Sequence, residues 1–249
     1  MDKGLRGRVV AVTRPVEAAD ALVARLEQEG ARVIVTPLIR IAPLRDQRAI
    51  RRAARNAERY DWIVFTSANA VAAFFNARTG MGLPDAVSVA AVGAATAEAA
   101  RTRGGRIDLV PDRHDAAALA DALAALGPLE GRRVLWPRAA RARRTLGRRL
   151  RSAGAEVHDV AAYRTEADSH GAQDLRARIE GGGVDVITFA SPSAVRSFAS
   201  VAKDVGRARV VVIGPVTARA ALRAGLPVHA RARVPGVDAL VTAIREVVS

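Results

Sequence analysis

Four short segments carry the residues best suited to chemistry. They are Thr66-Ser67, Gly93 to Thr96, Ser191-Pro-Ser193 and Gly214 to Thr217. Each follows an apolar run and opens a helical pattern. A helix start leaves backbone N–H groups unpaired, and a neighbouring hydroxyl adds a further donor, so each turn could hold an anion. The plainer reading is that the hydroxyls cap their helices, and the two roles can coexist. Together with a tyrosine and many arginines, these groups suit binding and orienting a polyanion.

Other chemistry lacks its residues. There is no cysteine, so disulfides and thiolate metal sites are excluded. The histidines, His114, His158, His170 and His229, never fall at i, i+4 spacing. No Gly-x-x-x-x-Gly-Lys-Ser/Thr loop, Gly-x-Gly-x-x-Gly turn or Gly-x-Ser-x-Gly elbow occurs. Nucleotide-dependent, metal-dependent and covalent mechanisms are therefore disfavoured.

The elements that position the turns come in two copies. Val184 to Phe198 repeats Tyr60 to Phe74, pairing Asp61 with Asp185, Phe65 with Phe189, Ser67 with Ser191 and Val71 with Val195 at one offset of 124 residues. Arg14 and Arg138 share that offset, and Gly93 to Thr96 matches Gly214 to Thr217 at 121. So long a period implies two half-molecules rather than a solenoid.

Strands are predicted at 9–13, 33–36, 61–65, 87–92, 107–110, 133–136, 157–160, 184–189, 210–213 and 226–229, with further extended pieces at 37–42 and 161–166. Helices are predicted at 16–29, 46–59, from 68 to about 77, from 94, 115–126, 141–152, 173–180, from 192, from 215 and 237–247. Apolar strands alternating with helices mean parallel sheets covered on both faces. In such sheets ligands bind outside the carboxyl ends of the strands, where the four turns fall. Trp62 and Trp136 read as strand residues of the core.

The chain has 249 residues, is half hydrophobic and carries a formal charge of +14, enough for two modest domains. Only Lys3 and Lys203 are lysines, so arginine supplies nearly all the positive charge, densest from Arg138 to Arg151. Aromatic residues make up 4%, too few for a nucleic-acid stacking platform. No nucleic-acid partner is expected. No apolar run reaches the ~20 residues that span a bilayer, and the N-terminus lacks a secretory core, so a cytoplasmic protein is expected.

In order and spacing, Val12-Thr-Arg-Pro15, Phe65-Thr-Ser-Ala-Asn-Ala-Val71, Val92-Gly-Ala-Ala-Thr96, Tyr163-Arg-Thr165, Phe189-Ala-Ser-Pro-Ser-Ala-Val195 and Ile213 to Leu222 resemble the uroporphyrinogen-III synthase family over nearly the full chain. The loop after Trp136 departs from the family pattern, with Arg138-Ala-Ala-Arg-Ala-Arg143. The resemblance implies two doubly wound α/β domains with parallel sheets, joined by a two-stranded linker, with the active-site cleft between them. Residues 1–36 and 167–249 would form a discontinuous domain. Residues 37–166 would form an inserted one, with 37–42 and 161–166 as linker strands. The implied reaction closes the linear tetrapyrrole hydroxymethylbilane to uroporphyrinogen III, losing water and inverting the last ring, with no cofactor and no metal. A small polycarboxylate tetrapyrrole would be the partner; a monomer is expected because the sequence shows no exposed heptad or apolar helix seam.

On that resemblance Tyr163 is the candidate proton donor to the leaving hydroxyl; otherwise it is a linker aromatic packed on a strand. Thr217, Thr96, Ser67, Ser191, Thr66, Gly214, Ser193 and Arg14 are the candidate substrate-binding residues, Arg14 being equally readable as an ion-pair residue. The rival readings are a non-catalytic ligand-binding domain of the same fold, which would lose the tyrosine, and a nucleic-acid binder driven by charge.

Overall fold

The computed structural model describes residues 4–80 and 82–248. The reading of the extreme N-terminus rests partly on Met1, Asp2 and Lys3; those three residues lie outside the described ones.

The chain alternates strand and helix. The order is β1 (Val9–Val12), α1 (Asp20–Gln28), β2 (Arg32–Val35), β3 (Ile39–Pro43), α2 (Arg48–Arg55), β4 (Trp62–Phe65), α3 (Ala68–Ala77), β5 (Ser88–Ala91), α4 (Ala94–Arg101) and α5 (Ala116–Ala125). It continues with β6 (Arg133–Ala139), α6 (Thr145–Ser152), β7 (Glu156–Ala167), α7 (Ser169–Glu180), β8 (Val186–Phe189), α8 (Pro192–Ala199), β9 (Arg209–Val212), α9 (Pro215–Arg223), β10 (Ala230–Arg231) and α10 (Val237–Val248).

Two compact units result. One takes the described residues through Arg40 and from Glu166 onward; the other takes Ile41–Thr165. The discontinuous unit holds the sheet β10-β9-β8-β1-β2, with every adjacent pair parallel. The continuous unit holds β3-β7-β6-β4-β5, parallel from β7 to β5. Each repeat half therefore supplies two strands to each unit, and β1, β2, β8 and β9 answer to β6, β7, β4 and β5.

Residue alternation fills both sheet faces. In the discontinuous unit Val10, Val12, Val186 and Val211 pack with Leu22, Leu26, Leu240 and Ile244 on one side. Ala11, Ile187, Phe189, Val210 and Val212 pack with Leu175 and Phe198 on the other. In the continuous unit Ile63, Phe65, Val89 and Leu135 face Phe74 and Val71, and Val64, Ala90, Val134 and Trp136 face Leu119 and Leu150. Phe65 and Phe74 meet at 5.5 Å between centroids, and their repeat mates Phe189 and Phe198 at 5.9 Å. All four rings are fully buried, and each burial contributes about 1.5–3 kcal/mol.

The twin aspartates serve one purpose. Asp61 accepts the Arg133 N–H and Asp185 the Val9 N–H, both at 2.8 Å. Each ties the amino end of a central strand to its neighbour. Hydrogen bonding to the Arg133 N–H and to Arg132 holds the Asp61 carboxyl below its ordinary value.

Several predicted boundaries need correction. Residues 107–110 form only a single bridge, Ala90 to Leu109, and the strand expected at 226–229 is displaced to Ala230–Arg231. In both places a side chain takes one strand N–H beside the backbone bonds that remain. The Asp108 carboxylate accepts the Val89 N–H at 2.7 Å, and His229 Nδ1 accepts the Val210 N–H at 2.9 Å. The basic helix begins at Thr145, not Arg141. The helix expected through Arg59 stops at Arg55, where the Asn56 side chain takes the Arg52 carbonyl at 2.7 Å and a 3-10 turn follows. The helix expected from Val16 likewise opens as a 3-10 turn. The strand at 157–160 and the extended piece after it are one strand, β7.

The segment entering β3 is held tightly. The Asp168 N–H donates to the Leu38 carbonyl at 2.9 Å, and the Asp168 side chain caps α7 through the Gly171 N–H at 3.0 Å. A Cβ on Gly171 would lie 1.9 Å from the Pro37 carbonyl oxygen. Gly171→Ala is therefore expected to destabilise the discontinuous unit by about 1–3 kcal/mol, since neither backbone can yield, as measured by urea unfolding.

A second prediction concerns pH. Burial, then the charge of Arg209, lowers the His229 pKa from its ordinary 6.5. An imidazolium has no lone pair for the Val210 N–H. The folded chain thus binds fewer protons here than the unfolded one, so this bond's stability is present above about pH 6.5 and is lost as pH falls through the folded value. His229→Asn keeps an acceptor without titrating. Its melting temperature should fall less than that of the parent chain between pH 7.5 and 5.

Candidate functional site

Parallel strands bring the candidate turns to the carboxyl edge of each sheet. In the continuous unit β4 ends at Phe65, and Ser67 stands extended at the start of α3 (φ −165°, ψ 152°). Its Oγ accepts the Ala70 N–H at 3.1 Å and lies 3.0 Å from the Tyr163 phenol oxygen. Tyr163 reaches that point through a register break. Arg138 pairs with Ala161 but Ala139 pairs with Tyr163, so Ala162 is an extra residue. The bulge lets consecutive residues, buried Ala162 and half-buried Tyr163, pack on one cluster with Phe65 and Val71. The Ala140 N–H donates to the Tyr163 carbonyl at 2.8 Å and holds the bulge.

Thr66 is committed elsewhere: its Oγ1 accepts the Nε1–H of buried Trp136 at 3.3 Å. Thr96 corrects the capping expectation. The residue at the cap of α4 is Gly93, and Thr96 sits inside the first turn. Thr96 is buried, and its hydroxyl has no hydrogen-bond partner among the described residues. An added Cβ on Gly93 would meet the His114 ring at 2.9 Å. His114 thus lies against the start of α4, a neighbour that nothing in its sequence context signals.

In the discontinuous unit, Ser191 caps α8 through the Ala194 N–H at 3.1 Å. Ser193 Oγ accepts from Arg196 at 3.1 Å. Gly214 occupies the cap of α9 with extended backbone (φ 176°), and the space where its Cβ would stand is open. Thr217, like Thr96, is a buried first-turn residue rather than a cap, and its hydroxyl is likewise unpartnered among the described residues.

The two arginines at offset 124 differ sharply. Arg138 is half-buried, over the Trp136 ring, and its Nη2 lies 2.7 Å from Asp159. Arg151 reaches the other Asp159 oxygen at 2.9 Å. Burial opposes ionisation of Asp159, yet hydrogen bonds from Arg151 and Arg138 hold its carboxyl below the ordinary value. Arg138 is thus spent on an internal ion pair. Arg14, after β1, has no ion-pair partner among the described residues, and its Nε is buried without a hydrogen bond. Burial lowers its pKa. The strand registers explain the contrast: Trp136 pairs with Asp159 where Val12 pairs with Val35. Arg14 has kept the guanidinium and lacks the carboxylate.

Thus Ser67, Tyr163, Thr66 and Thr96 belong to one unit, and Arg14, Ser191, Ser193, Gly214 and Thr217 to the other. Among the described residues no helix is long and apolar enough to cross a membrane.

The model of the family described as uroporphyrinogen-III synthase HemD matches residues 20–242. A Methanothermobacter thermautotrophicus protein with the provisional name uroporphyrinogen-III synthase is 35% identical over 222 residues, covering 84% of this chain and 87% of its own. The chloroplastic uroporphyrinogen-III synthase of Oryza sativa is 30% identical over 248 residues, covering 95% of this chain and 80% of its own. The crystal structure of uroporphyrinogen-III synthetase from Helicobacter pylori superposes with a TM-score of 0.65 at 15% identity, covering 96% and 99% of the two chains, and so bears on the fold alone. The family match and the two relatives extend over most of the sequence that builds both units, and the chain belongs to the uroporphyrinogen-III synthase family.

Proposed function

We propose that this chain closes hydroxymethylbilane to uroporphyrinogen III, with loss of water and inversion of the last ring, and that Arg14 binds one of the substrate's carboxylates. The single observation carrying this assignment is the partly buried guanidinium of Arg14 with no anion beside it among the described residues. A desolvated cation is costly unless paired, and its repeat mate is paired with Asp159. A polycarboxylate substrate supplies the missing charge.

The chemistry asks for restraint more than reactive groups. Once protonated, the hydroxyl leaves as water because the pyrrole nitrogen donates electrons. The free chain end then closes at whichever carbon is nearest. Production of the inverted isomer requires the last ring to be held so that its substituted carbon attacks. Tyr163 is our candidate proton donor, since a positioned phenol O–H can pass its proton to a leaving hydroxyl. The hydroxyls of Thr96, Thr217 and Ser191, the Ser193 turn, the first amides of α4 and the Val216 amide after Pro215 of α9 are our candidates for holding further carboxylates. The open space beside Gly214 leaves room for close approach. Segments 37–42 and 161–166 are proposed as the linker between the domains. We further take the chain to act as a cytoplasmic monomer without a cofactor.

Incubation of the purified chain with fresh hydroxymethylbilane should yield uroporphyrinogen III; an unaltered spontaneous isomer mixture refutes the reading. Tyr163→Phe should lower kcat about 100-fold or more, in the range of a lost general acid, with product affinity nearly unchanged. Arg14→Gln should raise KM about tenfold or more, as for a lost charged hydrogen bond. Val35→Asp, which restores the carboxylate of the repeat mate, should occupy Arg14 internally and also raise KM while increasing the melting temperature.

A further inference from the structure

We propose that Ser67 is a positioning residue for Tyr163: its hydroxyl donates to the phenol oxygen, leaving the phenol's own proton free for the substrate. This rests on Tyr163 as the proton donor and assigns what aims it. The two oxygens lie 3.0 Å apart within one compact unit.

Either direction leaves one O–H without a protein acceptor among the described residues, and the proton-donor role of Tyr163 selects the one in which that O–H is the phenol's. A serine hydroxyl has one hydrogen and two lone pairs. The Ala70 N–H occupies one lone pair at 3.1 Å. The Tyr163 oxygen is the remaining partner of Ser67 Oγ among the described residues. Were the phenol the donor, the Ser67 hydrogen would have no acceptor there. With serine as donor, Ser67 is satisfied and it is the phenol O–H that has no acceptor among the described residues, free for the substrate.

Capping alone does not produce this contact. Ser191, the repeat mate, caps α8 with the same 3.1 Å geometry, yet the residue at the repeat position of Tyr163 is Ile39. The second partner exists only where β7 carries its bulge. In the reaction the phenol proton leaves with the hydroxyl as water, and the carbon–oxygen bond breaks with its electron pair on that oxygen. The Ser67 O–H then holds the phenolate. The proton released when the closed ring regains aromaticity restores the phenol.

The chain has only two tyrosines, so isotope-edited infrared resolves the Tyr163 C–O stretch, assigned with Tyr163→Phe. That band distinguishes an accepting phenol from a donating one. Ser67→Ala and Ser191→Ala should each lower the melting temperature by about 2–4 °C through loss of a cap. Only Ser67→Ala should move the Tyr163 band, and it should lower kcat about tenfold, the worth of one hydrogen bond, with KM changed less than about twofold. Ser67→Thr should restore both band and kcat. In a Tyr163→Phe background Ser67→Ala should cost no further kcat. An unmoved band, a parent band of the donating type, or the full tenfold loss in the Tyr163→Phe background overturns the proposal. The band reports the Ser67 bond whatever the Tyr163→Phe turnover proves to be, so failure of the acid assignment is separately visible.

Discussion

Parallel pairing is the constraint on which the rest of the structure depends. Parallel strands cannot be joined by tight turns, so the connections between them cross a sheet face, and helices cover both faces. The ends of the parallel strands in each sheet then point the same way, and helix starts collect along one edge of each sheet. The buried valines and phenylalanines that satisfy both faces are therefore also what places Ser67, Thr96, Ser191 and Thr217 at edges. Asp61 and Asp185 fasten the opposite ends of the central strands.

On that shared frame the two units differ where chemistry is expected. Arg138 has Asp159, whereas Arg14 has Val35 in the matching register. Ser67 has a phenol, whereas Ser191 has only its cap. Asp108 holds a strand N–H as a carboxylate, whereas His229 does so as an imidazole that acid can disable. The repeat is thus a scaffold, and its departures from symmetry are what distinguish one unit from the other.

The large positive charge matters less by its sum than by its placement. Many arginines sit in exposed pairs such as Arg48 with Asp46 or Arg176 with Glu180, where solvent leaves little net stabilisation. Arg138 and Arg151 share one carboxylate. Arg14 stands apart because burial removes water without supplying an anion among the described residues.

The amino-acid order by itself determined the alternation of strand and helix, the twin halves and the four turns, because apolar periodicity, Gly and Pro punctuation and a constant offset are local properties. Ser67 and Ser191 were readable as caps for the same reason. Tertiary structure decided what spacing cannot encode. Thr96 and Thr217 lie inside the first turn because Gly93 and Gly214 take the cap. Thr66 is drawn to an indole 70 residues away. A single extra residue, Ala162, turns Tyr163 toward Ser67. Residues 107–110 fail as a strand because Asp108 occupies the neighbouring N–H. Each of these depends on which distant group arrives beside a residue, and that is settled only when the sheets assemble.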